Sequence, residues 1–90
     1  MNLLNSKHQQ TIAVIFTTPT HCTLEWQKVE ALLMALGAEV SEGRGSRVRF
    51  MIKGVMATFH RPHPAKEAKP YQVRDVRKFL ETIGVTPWVL

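Results

Sequence analysis

Cysteine is nearly absent: Cys22 is the only one in 90 residues. That excludes a disulfide framework and fits a reducing compartment. Long apolar runs are absent as well. The stretch Ile12-Ala13-Val14-Ile15-Phe16 is far short of a membrane span. It is also too short for the apolar region of a signal peptide, and no small-residue cleavage site follows it. A cytoplasmic chain without membrane association is expected. Acidic side chains are scarce, 7 against 12 lysines and arginines, which leaves a net charge of +5 and a pI near 9.9. A bias of that size in so short a chain fits a polyanionic partner, either nucleic acid or an acidic protein, and equally a solvated basic surface. No glycine-rich phosphate loop is present; Gly43, Gly45 and Gly54 read as turn glycines. Repeats and low-complexity tracts are missing too.

The length implies one domain, and a chain this short buries about 60–65% of its unfolded surface, enough for one modest core. A hydrophobic fraction of 44% is ordinary for a soluble globular chain. Ser6-Lys7-His8-Gln9 matches a capping box, with Ser6 as N-cap of a short helix running to about Phe16. A linker over 18–23 follows. Thr23 is the expected cap of a second helix over 24–36. Its stripe is Trp26, Val29, Leu32, Leu33 and Leu36, and Gly37 closes it.

The period then changes to two. Ala38 and Val40 suggest a short strand. Val48, Phe50 and Ile52 share one face of a second strand, with Arg47, Arg49, Met51 and Lys53 on the other. Lys53-Gly54 reads as a tight turn. A third strand puts Val55, Ala57 and Phe59 on one side, and Met56, Thr58 and His60 on the other; Pro62 and Pro64 end pairing. Pro70 suits the first turn of a helix over 71–83, whose stripe is Val73, Val76, Phe79, Leu80 and Ile83 before Gly84. Arg74, Arg77, Lys78 and Glu81 lie off that stripe. Trp88, in an apolar tail, is expected to fold back on the core. The order of elements implies an α+β fold, with helices packed on one face of a three-stranded antiparallel sheet.

The other sheet face carries the chemistry. A two-residue Lys53-Gly54 loop sets Ile52 against Val55, Phe50 against Ala57 and Val48 against Phe59. On the open face Met51 then meets Met56, Arg49 meets Thr58 and Arg47 meets His60. A histidine beside arginines suits cleavage of RNA without a metal. Histidine can take the 2′-hydroxyl proton or protonate the leaving oxygen, and arginine forks suit phosphate oxygens. The same residues equally suit a basic strand that binds phosphate and catalyses nothing. His60-x-x-His63 lacks the cysteine or carboxylate cluster that a metal needs, so neither a metal nor another cofactor is assigned. His8 and His21 read as surface groups, and Cys22 as an inert thiol.

The segments "ALLMALGAEVSEGRGSRVRF", "ATFHRPHPAKEAKP" and "VRKFLETIGV" resemble the HicA (YcfA-like) family of toxin mRNA interferases, over Trp26 to Val85. The resemblance implies an α-β-β-β-α core similar to a double-stranded-RNA-binding domain, here 23–90. Residues 1–22 are then an N-terminal helical extension. It implies mRNA as substrate and a HicB-like antitoxin as partner, with oligomeric state left open. In that family a histidine follows the glycine–serine turn; here Arg47 follows Gly45-Ser46. His63 matches the family's second histidine before the Lys-Glu element, Lys66-Glu67. Proton transfer therefore falls to His60 with Arg47 as its partner. Ser46, Arg49, Lys53, Arg61, His63 and Lys66 are the expected RNA contacts. Two other functions remain open: an RNA-binding module without cleavage, and an interaction domain for an acidic protein.

Overall fold

The computed structural model describes residues 4–20 and 23–87. The expectations for His21, Cys22 and Trp88 fall outside them. The elements are α1 (Ser6–Ile15), α2 (Trp26–Ala35), β1 (Glu39–Glu42), β2 (Arg47–Ile52), β3 (Val55–His60) and α3 (Pro70–Thr82). The sheet is antiparallel in the order β1-β2-β3. This is the expected α+β arrangement of an α-β-β-β-α core with an additional N-terminal helix.

Period-two burial is clean along β2, where Val48, Phe50 and Ile52 are buried and Arg47, Arg49 and Met51 are exposed. The buried row meets Trp26, Val29, Leu32 and Leu33 of α2 and Val73, Val76, Phe79 and Leu80 of α3 in one core. Phe59 stands at its aromatic centre. Its ring lies edge-on to Trp26 at 5.5 Å and to Phe79 at 6.3 Å, and tilted against Phe50 at 6.2 Å. Such pairs add about 0.5–1.5 kcal/mol each beyond the area they bury. Ile12 and Ile15 of α1 are fully buried in the same core.

The helix starts differ from the sequence expectation. The cap of α1 is Asn5, whose side chain accepts from the His8 amide at 2.9 Å, so Ser6 is the first helical residue. Gln9 turns back to donate to the Leu4 carbonyl at 3.2 Å. Thr23 does not cap α2. Residues 24–26 instead pair with 66–68: Trp26 N–H donates to Lys66 at 2.9 Å and Ala68 N–H to Leu24 at 2.7 Å. Those two backbone bonds draw the chain straight past Thr23 and start the helix at Trp26. The strand expected around Ala38 and Val40 runs over Glu39–Glu42 and is exposed throughout.

Arg77, which the sequence places off the α3 stripe, has a structural task. Its guanidinium donates to the carbonyls of Ile15 (2.8 Å) and Thr17 (3.3 Å) and to the Thr20 hydroxyl (3.2 Å). It thereby holds the segment leaving α1 against α3.

Candidate nucleic-acid interface

The hairpin between β2 and β3 sets the geometry of the site. Lys53 and Gly54 both have positive φ, 53° and 78°. That is the backbone of a type I′ turn, whose twist matches the flanking strands. The turn fixes the register at Ile52↔Val55, and the ladder runs without slip to Arg47↔His60. Beyond it, Arg61 N–H donates to the Ser46 carbonyl at 2.8 Å. Since Ser46 and Arg61 form a hydrogen-bonded pair, the alternation makes Arg47/His60, Arg49/Thr58 and Met51/Met56 non-hydrogen-bonded pairs. These are the closer kind, with Cα atoms about 4.5 Å apart. All six side chains are exposed.

Two neighbours hold this first pair in place. Gly43 lies opposite Arg47 on the β1 side and donates its N–H to the Arg47 carbonyl at 2.8 Å. A Cβ on Gly43 would stand 3.0–3.2 Å from Cβ, Cγ and Cδ of Arg47, so the arginine stem lies across the bare glycine. On the other side, a non-hydrogen-bonded residue turns its N–H and C=O away from the neighbouring strand. The His60 carbonyl accordingly accepts from Nε2 of Gln72 at 2.6 Å. Gln72 is 3% exposed, and its Oε1 accepts from the Lys69 N–H at 2.8 Å in the first turn of α3. The buried amide thus ties the end of β3 to the start of α3. The sequence marks Gly43 only as a turn glycine and gives Gln72 no role. Gln72 stands four positions before Val76, on the apolar stripe, and a polar group at a stripe position is the signal that marks it.

The expected contacts do not all gather here. Arg47, Arg49 and His60 cluster at one end of the open face, whereas Ser46, one residue before β2 and paired with Arg61, stands in the turn beside them. Arg61 alternates to the opposite side, facing the helices. It donates to Glu30 of α2 at 2.8 and 3.2 Å, and to Glu42 of β1 at 2.6 and 2.9 Å. The Glu42 hydrogen bonds, then those to Glu30, push the guanidinium still further above its ordinary pKa. The Arg61 hydrogen bond holds the Glu42 carboxyl below its usual range. Glu30 also accepts from the Trp26 indole. Lys53 leaves the face at the turn and sends Nζ to the Ile83 carbonyl at the end of α3, a long 3.4 Å contact. A cation is favourable there because unpaired carbonyls end the helix.

Lys66 lines a groove of about 670 Å³ with Trp26, Met34, Arg61, Pro62 and Pro64 on the helix side. His63 is exposed in the intervening loop. Among the described residues no group of three or more histidine, cysteine or carboxylate side chains is placed to hold a metal. No helix among them is long and apolar enough to cross a membrane.

The arrangement is chemically narrow. Two arginine forks and an imidazole line up on an open strand pair with no carboxylate directly across from them. That set favours an oxyanion such as a phosphodiester. No curated protein and no solved structure matches the chain. The family model described as the HicA toxin of bacterial toxin-antitoxin matches residues 26–85, from the first residue of α2 to just beyond α3. That match spans two thirds of the sequence and takes in the whole helix–sheet–helix core, and on it the chain belongs to the HicA family, the toxins of bacterial toxin–antitoxin systems.

Proposed function

We propose that this toxin, whose family implies an RNA substrate and an antitoxin partner, is an endoribonuclease that cleaves mRNA by metal-independent acid–base chemistry on the open sheet face. His60 takes the proton of the attacking 2′-hydroxyl or gives one to the leaving oxygen. Arg47 directly opposite binds the reacting phosphate and offsets the charge that develops on it. Arg49 and Ser46 hold the adjoining backbone. His63 and Lys66, at the rim, contact the strand as it leaves the face. The observation that carries this reading is the Arg47↔His60 register. It restores a histidine to the place where the family's histidine would otherwise be missing, from the neighbouring strand.

The partner is a HicB-like antitoxin with an acidic surface. It covers the same cationic face, and its charge suits a toxin of net charge +5. The test is incubation of the purified chain with mRNA in the presence of a chelator. Cleavage supports the assignment. Binding that weakens steeply with salt but never cleaves makes the chain an RNA-binding module in which Arg47 marks the loss of catalysis.

A further inference from the structure

The open face has a part that phosphate chemistry does not use. Next to Arg49 lies a depression of about 130 Å³ lined by Glu39, Val40, Ser41, Arg49, Phe50, Met51 and Met56. It is far smaller than the ~300–1,000 Å³ of a drug-sized pocket, and on the scale of one heterocyclic ring. Met51 and Met56 supply its apolar side chains. Met51 is 37% and Met56 53% exposed, two large hydrophobic side chains directly opposite each other at the hairpin end of the open face, beside Arg49. Glu39 is the cross-strand partner of Met51 on β1, so its side chain stands on the same face. Ser41 is likewise across from Arg49. Glu39 has no ion pair among the described residues.

We propose that Met51, Met56 and Glu39 form a nucleobase subsite for single-stranded RNA that prefers cytosine to uracil. The inference rests on the RNA-binding reading of Arg47 and Arg49. Rows of side chains on a strand repeat about every 6.6–6.8 Å. A nucleotide whose phosphate sits on Arg49 therefore reaches the methionine row with its own base. Polarisable thioethers make favourable contacts with aromatic rings, and such contacts are open to any base. The carboxylate supplies the discrimination. It accepts from the N4 amino group of cytosine, whereas uracil turns a carbonyl oxygen to the same place and repels it. The arginines thus fix the backbone, the methionines hold the ring and Glu39 reads its edge.

The probe is a set of short 2′-O-methyl RNA strands that cannot be cleaved, uniform except for a single cytosine or uracil. Binding is followed by fluorescence anisotropy across a salt series. Wild type is expected to bind the cytosine strand about 5- to 10-fold more tightly, the effect of one good edge contact. Glu39→Gln should erase that preference and leave the salt slope unchanged. Met51→Thr with Met56→Thr should weaken both strands about 10-fold with the unfolding temperature unchanged. Salt-dependent binding without base preference in wild type, or a preference that survives Glu39→Gln, overturns the subsite but not the RNA-binding reading. Methionine substitutions that weaken only antitoxin binding overturn it too, and make the patch a protein contact. Absence of any RNA binding brings down the underlying reading as well.

Discussion

Replacing Gln72 with methionine removes the tie between β3 and α3 while keeping side-chain length and helix propensity. Gln72 is 3% exposed and makes two hydrogen bonds, to the His60 carbonyl at 2.6 Å and from the Lys69 amide at 2.8 Å. A hydrogen bond contributes about 0.5–1.5 kcal/mol net, and a buried partner left unpaired costs about 1–3 kcal/mol. The His60 carbonyl turns away from β2, so the ladder offers it no substitute. Gln72→Met should therefore destabilise the fold by about 2–3 kcal/mol, which lowers the unfolding temperature of a domain this size by about 10–20 °C. The functional effect is separable when cleavage is assayed well below that temperature. Arg47 and Arg49 sit on β2 and keep their phosphate contacts, so KM should change less than about twofold, while kcat falls about 10- to 100-fold because the imidazole is no longer held. Thermal unfolding and steady-state cleavage read the two quantities. An unchanged unfolding temperature refutes the tie. A raised KM with kcat intact refutes the assignment of Gln72 to positioning His60.

Gly43→Ala brings a Cβ within 3.0–3.2 Å of Cβ, Cγ and Cδ of Arg47; Cγ and Cδ can rotate away but Cβ moves only with the β2 backbone, so RNA binding and cleavage should fall together with a lowered unfolding temperature, as measured by anisotropy beside a melt. The Glu42 carboxyl is held below its ordinary value by Arg61, so its contribution to stability is complete above the usual glutamate pKa of about 4.3 and is lost as pH falls through the depressed value. A pH series of melts should show this acid loss in wild type and a smaller one in Glu42→Gln. Arg77→Met releases three acceptors on the 15–20 segment and should speed limited proteolysis there, read by mass spectrometry of the first fragments; an unchanged first cut site would contradict it.

The hairpin was legible because its information is local. Lys53-Gly54 permits one tight turn, and period-two alternation carries the register six residues to Arg47 and His60. What failed to show in sequence was set by distant partners. Arg61 counts as one more cation in a basic strand until Glu30 and Glu42, 31 and 19 residues away, are seen to hold it. Thr23 carries a good local cap signal, yet the backbone bonds between 24–26 and 66–68 override it. Ser6 fits the capping template one residue from the true cap, an ambiguity natural where Asn5 and Ser6 both favour that position. Lys53 obeys alternation in sequence but leaves it in space, since the left-handed turn redirects its side chain toward the end of α3.

The central claim is that His60, across the ladder from Arg47, transfers the proton in RNA cleavage. Its most direct test is the cleavage rate of purified wild type, His60→Ala and His63→Ala on one mRNA, in chelator. General acid–base groups contribute about 10²–10⁴-fold. His60→Ala should therefore lose at least 10²-fold while keeping its fold and its antitoxin binding, and His63→Ala should lose far less. Full activity in His60→Ala contradicts the account, and wild-type activity that vanishes only on chelation shifts the chemistry to a metal bound near His60 and His63.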